Sequence, residues 1–411
     1  MLRIALANAP TMTLPVSDWD SLQVLCNIFE PIRNEDGTSA FFKHLEIRSH
    51  ELSGKLNIST IAQPLCNKLD VLLYNQGIKP QFQIRGDNFN VKFDRSLGPI
   101  MDLLSDSDTF FHVNGEGTGP YRLIGNSMIK RKAPQGNGWD HVAYQTFNDG
   151  SAMLKALRAR KVDLLFEIPH RIAAQELEDL HISSVPSRST NLIRLNTTTL
   201  PLATRRSMIK CVPWDKLFQS LNYGVGKLPT GPLPPSCLGS LAKPIEYPES
   251  IIRDTRRCHF CIPNSSSSRR FGEIVASYWR ELIGLDVEIH VYNGYAEAIR
   301  QAPYVDAMAL GLFFSYDPFW GLRNLFHTRA TENTMQYSSP HVDTLLAKAA
   351  EESNEAARTY CYAEICRQVM VDAVVIPYRH GASLLVSRKD DGPRWYAQPS
   401  SLIRISQLTI T

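Results

Sequence analysis

The cysteine pair Cys258 and Cys261, with C-x-x-C spacing, is the first candidate for metal or redox chemistry in this sequence. A site of this type needs a second pair of ligands, and the sequence contains no other C-x-x-C. Two arginines precede the pair, and a proline and a serine run follow it, as is typical of a loop. We therefore predict an irregular loop at 258–261 that carries no metal.

A glycine-rich segment, Gly115-Glu-Gly-Thr-Gly-Pro120, is the second candidate, because such loops can hold a phosphate group. A phosphate loop leads into a helix, whose N-terminal amides bind the anion. Here Pro120 opens a pattern typical of a strand instead. We predict a turn whose glycines adopt positive φ.

Enzyme signatures are missing from the sequence. It contains no P-loop, no H-E-x-x-H zinc motif and no G-x-S-x-G nucleophile elbow. Its carboxylates are scattered, and no nucleophile–base pair of a hydrolase can be assembled from it. We expect a protein that is not an enzyme, has no catalytic residues and requires no cofactor.

The elements around these segments alternate between helix and strand in the last third of the chain, which is typical of an α/β lobe. Helices are predicted over 271–283, 295–301 and 355–371, and another begins at Pro340 behind the capping residue Ser339. Strands are predicted over 285–291, 307–314, 374–377 and 382–386. The proline-rich stretch 229–248 and the serine run 264–268 are predicted to be loops.

Earlier in the chain the pattern is less regular. It predicts strands over 2–8, 89–93, 121–124, 162–166 and 191–195, and helices from Ser17 to Pro31, over 97–104 and over 151–160.

Length and charge limit the remaining possibilities. The 411 residues suffice for two or three packing units, and 43% of them are hydrophobic. A net charge of +3 is too small to attract nucleic acid or a membrane surface. No apolar run reaches the about 18–20 residues of a membrane span. The first ten residues lack the apolar core of a signal peptide.

Eight segments, in order along nearly the whole chain, resemble the family 5 extracytoplasmic solute-binding proteins, which serve peptide and nickel ABC importers. The most characteristic is the turn Gly117-Thr-Gly-Pro-Tyr-Arg-Leu123, which resembles the family's GTGPY turn. The others are Leu6–Pro15 followed by Val24–Pro31, Ala152–Leu165, Leu192–Pro201, Trp279–Ile289, Tyr316-Asp-Pro318, Tyr337–Leu346, and Val375–Tyr378.

The resemblance implies an α/β, two-lobe periplasmic-binding-protein fold of type II, cluster C-like, with a reduced extra subdomain. The predicted divisions are lobe I at 1–45, 116–190 and 382–411, the reduced subdomain at 46–115, and lobe II at 191–381. Only about seventy residues occupy the place of a longer subdomain in the family, so that subdomain is predicted to be reduced.

The resemblance also implies a ligand site in a cleft between the lobes, walled by aromatic residues of the segment 313–320. The predicted ligand contacts are Thr11, Phe313, Phe314, Tyr316, Asp317 and Trp320. In the nickel-binding branch a tyrosine matches Tyr316, and a metal-contacting histidine lies roughly where His327 stands. Core packing for Tyr316 and a surface position for His327 remain the alternatives.

Phe314 departs from the peptide-binding members, which carry an aspartate at that position to pair with the peptide amino group. A buried ammonium needs a counter-charge, and a phenyl ring offers at best a cation–π contact. The sequence therefore favours a metal chelate, such as a nickel complex, or another compact ligand poor in amines.

Two functions follow as hypotheses. The first is the substrate-binding component of an ABC importer, which closes on a small ligand or peptide and works with a membrane permease as a monomer, without nucleic acid. The second is a cytosolic ligand-sensing module on the same fold, which the eight cysteines and the reduced subdomain also fit. The first predicts an extracytoplasmic location after removal of a signal peptide, and the second predicts a cytoplasmic protein that begins at Met1.

Overall fold

The structure is a computed structural model that describes most of the chain in two compact units, Met1–Val185 with Ser383–Thr411, and Pro186–Ala382. The described residues are 1–6, 10, 19–32, 39–48, 50–75, 78–94, 104, 110, 112–113, 116–132, 139–147, 150–166, 177–222, 228–247, 250–395, 404–405 and 408–409. The corresponding boundaries predicted from the sequence were 190/191 and 381/382.

The first unit contains a mixed sheet and a smaller antiparallel sheet. Its elements are β1 (Leu2–Leu6), α1 (Trp19–Leu25), β2 (Phe42–Arg48), β3 (Glu51–Leu56), α2 (Ala62–Asn75), β4 (Pro80–Arg85), β5 (Asn88–Phe93), β6 (His112–Val113), β7 (Glu116–Gly117), β8 (Tyr121–Ile124), β9 (Met128–Arg131), β10 (His141–Thr146), α3 (Gly150–Arg158) and β11 (Leu164–Leu165). Two further strands close its C-terminal part, β17 (Arg394–Trp395) and β18 (Leu408–Thr409). The chain leaves this unit within β12 (Leu180–Leu195) and returns within β16 (Val375–Arg388).

The mixed sheet of the first unit is buried on both faces. Its strands follow the order β16-β11-β1-β10-β9-β8, with β1 parallel to both β10 and β11. Ile4 packs with residues of α1 on one face, and Ala5 packs with residues of α3 on the other. Such double burial explains why the apolar residues from Ile4 to Leu6 follow one another without alternation.

A small sheet with the order β2-β3-β5-β4 begins at Phe42, four residues before the segment predicted to be the reduced subdomain, and otherwise lies within that segment. The antiparallel strands pack apolar side chains such as Phe42 and Phe89 on one side, with their rings 5.7 Å apart. That this subdomain is a reduced form of a longer one stays a prediction.

The second unit has a five-stranded sheet between two layers of helices. Its elements are α4 (Leu202–Lys210), α5 (Trp214–Asn222), β13 (Arg257–Pro263), α6 (Ser266–Tyr278), β14 (Asp286–Tyr292), α7 (Tyr295–Gln301), β15 (Ala307–Phe313), α8 (Phe319–Phe326), α9 (Pro340–Glu351) and α10 (Glu355–Val371). The strand order is β14-β13-β15-β12-β16. Leu192 and Met308 face the core beneath α8–α10, and Ile193 and Ala309 face the core beneath α4–α6.

The prediction of a loop at Cys258 and Cys261 was wrong, because both residues belong to the buried strand β13. Cys258 packs in one core and Cys261 in the other, so the two thiols lie on opposite faces of the sheet. Residues three apart on a strand point to opposite sides, and this separation prevents a shared metal. The flanking arginines and serines indicate only the ends of the strand.

The glycines of the turn at 117–119 are needed for a reason other than positive φ. Neither Gly117 nor Gly119 has positive φ among the described residues. A Cβ atom on Gly119 would lie 2.7 Å from the carbonyl carbon of Ile28 and 2.8 Å from the oxygen of Asn27. The Gly119 amide donates to the Ile28 carbonyl at 2.6 Å. The turn therefore packs directly on the backbone that follows α1, which leaves no space for a side chain.

The serine run, predicted to be a loop, instead begins a helix. The Ser265 hydroxyl caps α6 by accepting a hydrogen bond from the Ser268 amide at 3.1 Å. Serine is a favoured N-cap, and this side-chain bond replaces a missing backbone partner. The two strands predicted at 374–377 and 382–386 form the single strand β16. The helix predicted over 97–104 lies outside the described residues except for Leu104.

The eight cysteines are buried free thiols. Burial raises the pKa of the Cys26 thiol to about 12 and that of Cys66 to about 11. These thiols stay protonated at neutral pH and act as small apolar side chains. A search of the described helices found none that is long and apolar enough to cross a membrane.

Candidate functional site

The aromatic segment 313–320 begins where β15 ends in the second unit. β15 runs antiparallel to β12, and Ser189 lies opposite Phe313. One residue further, the Phe314 amide donates to the Arg188 carbonyl at 2.9 Å. The strand pairing therefore fixes the start of the segment.

Asp317 anchors the middle of the segment through a buried ion pair. Its carboxylate accepts hydrogen bonds from Arg358 Nε at 2.8 Å and from the Tyr362 hydroxyl at 2.6 Å. The side chain of Asp317 is 1% exposed and that of Arg358 10%. The Asp317 carboxylate, accepting also from the Phe319 amide, ties the turn to α10.

Tyr316 precedes Asp317, and a backbone hydrogen bond fixes its position. Its carbonyl accepts from the Leu238 amide at 2.9 Å, which joins it to the proline-rich segment. Gly239, which follows Leu238, has φ of 75°, and a Cβ atom there would lie 2.4 Å from Cβ of Tyr362. The glycine therefore lets the proline-rich segment approach α10. The hydroxyl of Tyr316 lies 3.4 Å from a carboxylate oxygen of Glu355.

Three aromatic rings of the segment are accessible to different degrees. Phe313 is 50% exposed and Tyr316 is 45% exposed. Trp320 is half-buried, with its ring 4.8 Å from that of Phe319 in an edge-on arrangement. The indole N–H of Trp320 is buried and has no hydrogen-bond partner among the residues described. Exposed aromatic rings and an indole donor within one segment are suited to binding a small polar molecule.

Two predicted contacts are buried in the structure. Phe314 is 5% exposed and packs in the core against Gly321. The carboxylate oxygens of Asp317 accept hydrogen bonds from Arg358 and Tyr362, so its charge is already paired. Ligand contact by Phe313, Phe314, Tyr316, Asp317 and Trp320 stays a prediction, and Thr11 lies outside the described residues.

His327, the predicted metal ligand, ends α8 with both ring nitrogens near other groups. Nδ1 accepts from the Arg329 amide at 3.1 Å, and Nε2 lies 4.0 Å from a carboxylate oxygen of Asp343. Neither contact involves the aromatic segment. The metal role of His327 stays a prediction.

Arg188 is a residue of this region that sequence reasoning missed. This residue is 9% exposed, and burial lowers the pKa of its guanidinium. An arginine within a strand pattern resembles any surface arginine, and only the pairing of Arg188 with Phe314 indicates its place.

Comparison with known proteins identifies the fold. The chain is similar to the periplasmic binding protein DppA from Helicobacter pylori in complex with the peptide STSA, with a TM-score of 0.81 and 16% identity over 100% of this chain and 98% of that one. The fold is that of the two-lobe periplasmic binding proteins. The prediction of fold class is thereby confirmed.

Two further binding proteins of this fold have different ligands. NikA from Staphylococcus aureus, solved with Ni(L-His)2, gives a TM-score of 0.75 at 14% identity, over 100% of this chain and 99% of that one. A dipeptide-binding protein from Pseudoalteromonas, solved with Met-Leu, gives 0.79 at 15% identity over 100% of both chains. At these identities the similarity shows the fold of the chain but does not show its ligand.

The sequence itself is similar to the glutathione-binding protein GsiB of Pectobacterium atrosepticum. The identity is 22% over 335 residues, which cover 72% of this chain. The match spans 64% of the length of that relative, which is less than two thirds. No family model matches the chain.

Proposed function

We propose that the chain is the substrate-binding component of an ABC importer. The observation that carries this proposal is the aromatic segment 313–320, which a buried ion pair holds rigidly while Phe313 and Tyr316 remain exposed. A binding protein needs such pre-organised contacts, because ordering them on binding would cost affinity. The fold and the order of the eight family-like segments support the same function. The regulatory alternative gains no support from the relatives compared.

The mechanism we propose is closure of two lobes on a ligand. Each lobe contributes some of the contacts, and the full set forms only in the closed state. The aromatic rings of Phe313, Tyr316 and Trp320 are the proposed contribution of the second lobe. A membrane permease would then accept the ligand from the closed protein outside the cytoplasm.

The proposed ligand is compact and poor in free amines. A peptide ammonium would need an acid near Phe314, and the two nearest acids in sequence are already engaged. Asp317 pairs with Arg358, and Asp306 accepts a hydrogen bond from the His259 amide at 2.8 Å. An uncompensated ammonium in a closed site would cost on the order of several kcal/mol. A metal chelate such as a nickel–histidine complex, whose amino groups are bound to the metal, avoids this cost.

Calorimetric titration of the protein distinguishes these ligands. The panel contains unmodified di- to pentapeptides, glutathione and the nickel–histidine complex. We expect micromolar or tighter binding of the nickel complex, and at least about tenfold weaker binding in Tyr316→Ala. The matched control is Tyr304→Ala, which removes a tyrosine that is 82% exposed and lies outside the segment. Micromolar binding of unmodified peptides or of glutathione, without binding of the nickel complex, would contradict the proposed ligand class.

A further inference from the structure

Two histidines and a glutamate meet on one face of the second unit, on elements other than the aromatic segment. His259 lies on β13, and Glu288 and His290 lie on β14, the outermost strand of that sheet as described. The parallel register places His259 opposite Glu288. Glu288 and His290 are two residues apart on the same strand, so all three side chains point to the same side.

The three side chains place their ligand atoms at distances suited to one ion. His259 Nδ1 lies 2.9 Å from His290 Nε2. His259 Nδ1 lies 3.7 Å from one carboxylate oxygen of Glu288, and His290 Nε2 lies 3.7 Å from the other. Tetrahedral zinc with bonds of about 2.0–2.1 Å separates its ligand atoms by about 3.3 Å. Because the ligand atoms of the three side chains all lie within 4.8 Å of one another, small rotations of these side chains bring them into coordination distance of one ion.

The surroundings of the cluster keep it both accessible and oriented. The side chains of His259, Glu288 and His290 are 34%, 42% and 36% exposed, so an ion can reach them from water. Arg257 donates a hydrogen bond to one oxygen of Glu288, which fixes the carboxylate in the manner of an outer-shell partner. The backbone of His259 is fixed by Asp306, whose carboxylate accepts from the His259 amide.

We propose that His259, Glu288 and His290 form a binding site for a late first-row divalent transition metal ion, with zinc as the reference ion. Two imidazoles and one carboxylate favour zinc, copper or nickel over magnesium and calcium, which prefer oxygen ligands alone. The bound ion would cross-link β13 to β14 at the side of the sheet. Water completes the coordination of such a three-ligand site.

Titration of the purified protein with aqueous zinc, monitored by calorimetry, tests the site. We expect one ion bound per chain and no comparable binding of magnesium. Glu288→Gln keeps the shape of the side chain but removes its charge, and we expect zinc affinity to fall by more than about tenfold in this variant and in His290→Ala. The control is His341→Ala, which removes an exposed histidine on α9 and should bind zinc as the unaltered protein does.

Cobalt gives a second readout that reports on the ligands themselves. We expect cobalt to produce visible absorption of a four-coordinate site in the unaltered protein and in Trp320→Ala, but not in His259→Ala or His290→Ala. Circular dichroism without metal shows whether each variant is folded. Equal zinc affinity in the cluster variants and the unaltered protein, or loss of binding in His341→Ala, would overturn the proposal. Trp320 belongs to the aromatic segment on which the proposed function rests. Unchanged cobalt absorption in Trp320→Ala would therefore show that metal binding does not depend on that segment.

Discussion

A single buried carboxylate, that of Asp317, determines where the exposed aromatic residues of the candidate site lie. The sequence predicts that Tyr316 and Asp317 of the Tyr-Asp-Pro motif contact a ligand. In the structure the two residues have different surroundings. Asp317 is buried with Arg358 and Tyr362, and its neighbour Tyr316 remains accessible. The local sequence does not indicate that Asp317 is buried and Tyr316 is accessible, because the partners of Asp317 lie more than forty residues away in sequence.

Replacement of Asp317 should therefore destabilise the protein strongly. Asp317→Ala leaves the Arg358 guanidinium buried without its carboxylate, and we expect a loss of about 3–5 kcal/mol in the free energy of unfolding. Urea denaturation measures this loss. Glu273→Gln disrupts an exposed ion pair with Arg280 and should cost less than about 1 kcal/mol. Equal losses in the two variants would contradict the anchoring role.

His380 gives the protein a pH-dependent stability. It is 3% exposed, and burial lowers the pKa of its imidazole from 6.5 to about 4. The unfolded chain binds a proton to this residue near pH 6.5, whereas the folded chain does so only near pH 4. Stability from this residue is therefore complete above about pH 6.5 and falls as the pH decreases toward 4, by roughly 3 kcal/mol in total.

Urea denaturation at pH 7 and at pH 4.5 checks this dependence. The difference between the free energies of unfolding at the two pH values should be smaller in His380→Gln. It should be unchanged in His341→Gln, which alters an exposed histidine. An unchanged difference in His380→Gln would show that other groups cause the acid sensitivity.

At the scale of elements, the turn Gly117–Gly119 and the segment after α1 form one packed unit. The Thr118 hydroxyl accepts from the Glu30 amide at 2.9 Å, and the Tyr121 amide donates to the Asn27 carbonyl at 3.1 Å. Two segments that resembled the same family therefore contact each other directly. The contact explains why both sequences are restricted, since the backbones approach too closely for side chains at the glycines.

Gly119→Ala should destabilise the first unit through this close approach. The added Cβ atom would meet backbone atoms of Ile28 and Asn27, which cannot rotate away, and we expect a loss of about 1–3 kcal/mol. Gly86→Ala is a useful comparison, because a Cβ there has nothing within 4 Å and meets only the strain of φ at 62°. Thermal unfolding should rank Gly119→Ala as the more damaging change. The opposite ranking would contradict the packing role of the turn.

At the scale of the whole molecule, the sequence predicts the α/β class well because helix and strand periodicities differ. The helix predicted over 355–371 is α10, bounded by the Asn354 cap. Local periodicity does not indicate which strands pair with each other. Strand pairing determines which residues lie close together, and the sequence could not predict these contacts. The register of β13 against β14 separates the two cysteines and brings His259 beside Glu288. The packing of β12 buries Arg188 in the same way.

Native mass spectrometry of the protein purified from its own host tests solute binding by this chain most directly. We predict a stoichiometric small molecule or metal chelate that is released when the protein is unfolded. In Tyr316→Ala purified identically the bound fraction should fall, and in Tyr304→Ala it should not. A ligand retained equally by all three proteins, or none in the unaltered protein and no binding in the calorimetric panel, would contradict a solute-binding function centred on the aromatic segment.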